Sequence, residues 1–171
     1  VPILNLSNFA YIQRKNYRPE NKFFILHEGP LGVFNETLKE VSYDELEEIL
    51  TRTLEDASEI IDGVTCGAGM PYKLSEIAAR YSIYYYPIVS SARAFNALWK
   101  RSYRKTSEYL GGVVYEDPWL AGGHNGLSNS ENPLKPEPPY ARVRDLRKLM
   151  NQFNLQNTPI IMAGGGWNLS E

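Results

Sequence analysis

Gly112-Val113-Val114-Tyr115-Glu116-Asp117-Pro118-Trp119-Leu120-Ala121-Gly122-Gly123-His124-Asn125-Gly126 is the stretch on which the fold turns. A β-branched apolar run meets two acids and a proline, then opens into glycines around one imidazole. A strand buried on both faces has that unbroken apolar pattern, and a ligand-hugging loop at its carboxyl end has that composition. Glycines without Cβ let the main chain approach a flat or anionic ligand, and His124 is the side chain there that exchanges a proton near neutral pH. A glycine-rich turn with a merely hydrogen-bonded histidine is the other reading, and the stretch alone leaves both open.

Outward from that stretch the same order recurs. Ile60 to Cys66 reads as a strand ending in Gly67-Ala68-Gly69-Met70-Pro71, followed by a helix over Leu74 to Tyr81. Ile83 to Val89 reads as the next strand, and Ser90-Ser91-Ala92 opens a helix carrying Phe95, Leu98, Trp99 and Tyr103. After the central strand comes a Pro- and Asn-rich loop over Leu127 to Tyr140, then a helix burying Val143, Leu146, Leu149, Met150 and Phe153. Pro159 to Met162 is a further strand, ending in Ala163-Gly164-Gly165-Gly166-Trp167. Upstream, Ser42 and Glu45 form a capping box for a helix with Leu46, Ile49, Leu50, Leu54 and Ala57 on one face. Val1 to Leu6 and Leu31 to Phe34 read as short strands, while the segment through Glu28 shows no clear period and puts His27 in a loop.

Strand, loop and helix in repeated succession call for an α/β fold with a parallel sheet and helices packed outside it. An open doubly wound sheet and a (β/α)8 barrel both suit the spacing. Glycine or small hydroxyl residues follow successive strands, and barrel strand ends all converge on one mouth, so the reading is a partial (β/α)8 TIM barrel. A whole barrel needs about 250 residues, and this chain has 171, read as a single incomplete domain over 1–171. Asn168-Leu169-Ser170-Glu171 carries a helix-starting signature, so the chain is expected to be an internal piece of a longer protein.

Eighteen basic against twenty acidic side chains give a net charge of −2, which removes any general electrostatic case for nucleic acid or an anionic membrane. One cysteine, Cys66, forms no internal disulfide, and a buried structural thiol is favoured over a nucleophile. No apolar run reaches the length of a membrane span, so a soluble, reducing, cytoplasmic setting is expected, with small molecules or other proteins as partners. Two histidines and one cysteine without metal-ligand spacing argue against a metal centre.

Ala163-Gly164-Gly165-Gly166, between a strand and a helix start, offers free N–H groups and a positive helix end, the makings of a phosphate seat. A close helix–strand approach needing small residues explains the same glycines. Gly67, Gly69, Ser90 and Ser91 occupy equivalent strand ends and could donate to a planar heterocycle, though tight turns explain them as well. Glu116 and Asp117 could orient the imidazole or bind a ribityl hydroxyl, or form a solvated turn.

Taken in order, Cys-Gly-Ala-Gly-Met-Pro over 66–71, Pro-Ile-Val-Ser-Ser-Ala-Arg-Ala over 87–94, Val-Val-Tyr-Glu-Asp-Pro with Ala-Gly-Gly-His-Asn-Gly over 113–126 and Pro-Ile-Ile-Met-Ala-Gly-Gly-Gly over 159–166 resemble the nitronate monooxygenase (2-nitropropane dioxygenase) family. The resemblance covers about 59–171. It implies an FMN-dependent (β/α)8 flavoprotein that oxidises alkyl nitronates with molecular oxygen; the related FMN-dependent enoyl-ACP reductases, which use NAD(P)H, share the Gly-Gly-His element. A non-catalytic fragment is the third reading, and the 171-residue piece alone is expected to be inactive. The resemblance makes His124 the catalytic histidine. Ala121, Gly122 and Gly123 would approach the flavin, Ala163, Gly164, Gly165 and Gly166 its phosphate, and Gly67, Gly69, Ser90 and Ser91 would line the isoalloxazine pocket. The family's N-terminal glycine-rich strand has no counterpart here, its later Gly-Thr element would lie beyond Glu171, and the 127–140 loop is longer and richer in proline.

Overall fold

The computed structural model describes residues 3–5, 25–28, 43–59, 61–66, 70–120, 127 and 131–164. Among these residues six strands run β1 (Ile3–Asn5), β2 (Ile25–Glu28), β3 (Gly63–Cys66), β4 (Tyr84–Val89), β5 (Val113–Glu116) and β6 (Ile160–Ala163), interleaved with helices α1 (Tyr43–Ala57), α2 (Leu74–Arg80), α3 (Ala92–Arg101) and α4 (Pro139–Gln152). They form one sheet in the order β1-β2-β3-β4-β5-β6, and every neighbouring pair is parallel. This decides between the two architectures that the sequence allows. A doubly wound sheet reverses direction at a switch point, whereas a (β/α)8 barrel adds each strand beside the last. The chain is α/β and builds part of such a barrel wall.

His27 lies not in a loop but in β2, paired with Asn5 on one side and Thr65 on the other. The physical cause is the apolar Phe23-Phe24-Ile25-Leu26 run, short enough to be hidden by its polar surroundings. The expected strand over 31–34 lies outside the described residues, as does Ser42 of the capping box. Tyr103, expected at the end of α3, sits instead in a 3₁₀ turn, Tyr103–Lys105, and is buried there.

Strand pleating sends alternate residues to opposite faces. Val64, Cys66, Tyr85, Val89, Val113 and Tyr115 join Leu50 and Leu54 of α1, Leu74, Ile77 and Ala78 of α2, Phe95 and Leu98 of α3, and Leu146 and Met150 of α4 in one continuous core. Helices α3 and α4 are tied further by Trp99 stacked on Phe153, with ring centroids 5.0 Å apart and planes 11° from parallel. Tyr85 packs edge-on against Tyr103 with centroids 4.9 Å apart, and its hydroxyl donates to the carbonyls of Tyr103 and Thr106. Tyr103 in turn donates to the Pro71 carbonyl at 2.8 Å, so the connections after β3 and β4 are anchored to each other.

The other face of the sheet is built around Tyr86. A Cβ at Gly63 would stand 2.7 Å from its ring, and at Gly111 2.4 Å from it. Gly112 has the same ring at 3.3 Å. At Gly63 and Gly111 the aromatic ring occupies the space a side chain would fill, whereas at Gly112 Pro159 stands equally close. The sheet also shifts register here. Tyr85 pairs with Leu110 and Ile88 with Val114, three steps along one strand against four along the other. Pro87 has no N–H to donate at that point, so the extra residue costs β4 no ladder bond.

Candidate functional site

Because the strands are parallel and adjacent, their last residues, Cys66, Val89, Glu116 and Ala163, end at one edge of the sheet. Of the residues expected to form the site, Ser90, Ser91, Ala163 and Gly164 are described and all lie at that edge. Gly67, Gly69, Ala121, Gly122, Gly123, His124, Gly165 and Gly166 lie outside the described residues. Their segments nevertheless leave from fixed points on this edge, after Cys66, Leu120 and Gly164 respectively.

Ser91 is the N-cap of α3. Its extended backbone (φ −160°, ψ 157°) starts the helix, and the Ala94 N–H donates to its Oγ at 3.2 Å. Capping uses an oxygen lone pair and leaves the O–H as a donor. The positive end of a ten-residue helix, α3, therefore opens onto the sheet edge beside Ser90 and Ser91.

Gly164 is the only described glycine with positive φ, at 79°. A Cβ there would lie 2.9 Å from Asp117 N and 3.1 Å from Asp117 O, both backbone atoms that cannot swing aside. Glycine is thus demanded twice, by dihedral and by proximity. The Asp117 N–H donates to the Ala163 carbonyl at 3.1 Å, carrying the β5–β6 ladder one residue past Glu116.

Asp117 itself is 1% exposed. The N–H groups of Trp119 and Leu120 both donate to its Oδ1 at 3.0 Å, closing a tight turn. The carboxylate is thus engaged with the main chain of its own loop. Trp119 holds the turn from outside: its indole N–H donates to the Asn132 carbonyl at 3.1 Å, and the Arg142 guanidinium sits 4.7 Å over its ring. Arg142 is also paired with Glu131 and, at 3.4 Å, with Glu137. The Pro- and Asn-rich loop is therefore pinned to the exit of β5. Sequence reading missed this cluster, although Asp117-Pro118, a turn-initiating pair, was the available signal.

Tyr115, fully buried two residues before Asp117, is raised to about 12, first by burial and then by the Asp117 charge, with Arg142 opposing. Burial likewise raises Tyr85 and lifts Tyr103 well above its usual range. In the unfolded chain these phenols lose their protons near 10. Above that pH the unfolded chain holds fewer protons than the folded one, so the stabilisation is complete below about pH 10 and is lost as pH climbs through the folded values. Denaturant titrations should give a constant midpoint from pH 7 to about 9.5 and a falling one beyond; a midpoint unchanged at pH 11 would contradict the burial of these hydroxyls.

Among the described residues no group of three or more His, Cys, Asp or Glu is placed to hold a metal ion, and no helix is long and apolar enough to cross a membrane. Among the described residues the edge carries the Ser90 and Ser91 side chains and the N-terminus of α3.

No protein-family model matches the chain, and no curated protein matches it in sequence. Among solved structures, FabK from Thermotoga maritima is similar with a TM-score of 0.52 and 14% identity over 92% of this chain. A point mutant of the same protein gives 0.48 and 12% over 92%. The chain spans 45% of the length of FabK. At this identity the likeness is one of fold: this chain has the architecture of about half of the FabK structure.

Proposed function

We propose that the chain carries the flavin-binding part of an FMN-dependent oxidoreductase that oxidises alkyl nitronates with molecular oxygen. The observation that carries the reading is the shared edge: segments 67–69, 90–91, 121–126 and 164–166, which resemble the nitronate monooxygenase pattern, all follow neighbouring parallel strands. In that reading Ser90 and Ser91 line the flavin ring system, the Ser91 hydroxyl as a donor, and the α3 N-terminus adds a favourable field for an anion or electron-rich carbonyl. Gly164, with Gly165 and Gly166, presents main-chain N–H groups to the phosphate. FMN supplies the electron transfer when bound; the protein orients it and provides His124 to hold or move a proton at an imidazole nitrogen. The fold similarity to half of FabK agrees with a barrel scaffold for this chemistry.

The test is direct. Purified chain, alone and as part of any longer parent polypeptide, is loaded with FMN, and oxygen uptake is followed with an alkyl nitronate. Yellow protein that consumes oxygen supports the reading; protein that never retains flavin, or retains it without turnover, overturns it. The Gly122-Gly123-His124 element suits an NAD(P)H-using reduction of an enoyl thioester equally well. Flavin bleaching by NADPH without any nitronate-driven oxygen uptake would favour that second activity.

A further inference from the structure

The exits of β5 and β6 touch at one spot. Asp117 donates its N–H to Ala163, and Gly164 has no room for a Cβ because Asp117 backbone atoms stand at 2.9 and 3.1 Å. From that spot the Asp117 carboxylate reaches along its own loop and takes the N–H groups of Trp119 and Leu120, both at 3.0 Å, on a single oxygen. The Asp117 Oδ2 atom and the Tyr115 hydroxyl are both buried here, and the phenol feels the carboxylate. A buried carboxylate carries a desolvation penalty, which the two amide bonds to Oδ1 offset.

We infer that Asp117 is a positioning residue: its carboxylate fixes the turn 117–120, and its contact with Gly164 ties that turn to the start of the glycine segment after β6. Leu120 is the last residue before Ala121-Gly122-Gly123-His124. Asp117 therefore sets where the segment bearing the imidazole departs relative to the one offered to the phosphate. What those two segments do rests on the proposed function; the mechanical link does not.

Amide hydrogen exchange on the flavin-free chain tests the link. Asp117→Ala should speed exchange at Trp119 and Leu120 by about tenfold or more, with core amides of α3 unchanged. Asp117→Asn keeps one acceptor oxygen and should stay within about threefold of the parent. Gly164→Ala, remote in sequence, should loosen the same two amides by pushing on Asp117. If Asp117→Ala exchanges globally because it fails to fold, the Asn and Gly164 variants carry the test. Unchanged Trp119 and Leu120 amides in Asp117→Ala or Gly164→Ala, or an Asn variant as fast as a folded Ala one, would overturn the inference. In FMN-loaded protein Asp117→Ala should lower kcat for a nitronate about tenfold at unchanged KM, and Asp117→Asn should restore it. Parent protein that binds no flavin would end the proposed function while leaving the exchange result to stand.

Discussion

Replacing His124 by Asn in FMN-loaded protein is expected to lower nitronate turnover by about two to four orders of magnitude, the usual worth of a positioned acid or base, with flavin content unchanged. The carboxamide keeps hydrogen-bonding capacity and bulk but exchanges no proton near neutral pH, so the substitution separates proton transfer from packing. Loss of flavin with an unchanged rate per bound flavin would assign His124 to structure. The expectation rests on His124 lying four residues beyond Leu120, where a rigid turn ends at the sheet edge.

The second large effect concerns stability. Tyr85→Ala is expected to cost about 3–5 kcal/mol, as for other buried aromatics cut to a methyl group, whereas Tyr85→Phe should cost about 1 kcal/mol. Tyr85 is fully buried on β4 and packs edge-on against Tyr103 of the 3₁₀ turn. Its hydroxyl bonds are long, 3.4 Å to the Tyr103 carbonyl and 3.3 Å to that of Thr106, which limits what they contribute. The ring therefore outweighs the hydroxyl. Urea midpoints for the pair measure the split; equal losses for Phe and Ala would mean that the two bonds, not the packing, hold the connection.

Much of the architecture was readable because burial on both faces leaves a strong mark. The runs at 60–66, 83–89, 113–115 and 159–162 lie within a residue or a few of β3 to β6, and the faces of α3 and α4 hold Phe95, Leu98, Leu146 and Met150 as expected. Strand β2 escaped because four residues give too little periodicity to stand out from the polar and aromatic residues around Phe23 to Leu26. At the candidate site, the glycine demand at 164 was visible as composition, yet its cause was not. The reason is Asp117, a contact across 47 residues of chain that no local pattern encodes. For the same reason Arg142 over Trp119 could not be foreseen: ring and cation come together only once α4 is docked.

Tyr86 links positions that selection must treat as one. With its ring in the space that a Cβ at Gly63 or Gly111 would take, a lineage that shrinks position 86 opens room first at 111, where the tyrosine is the whole obstacle, and in part at 63, where the Tyr84 carbonyl also stands close. Substitution histories at 63, 86 and 111 should therefore be correlated, and a sequence with alanine or larger at 63 or 111 should also have lost the aromatic residue at 86.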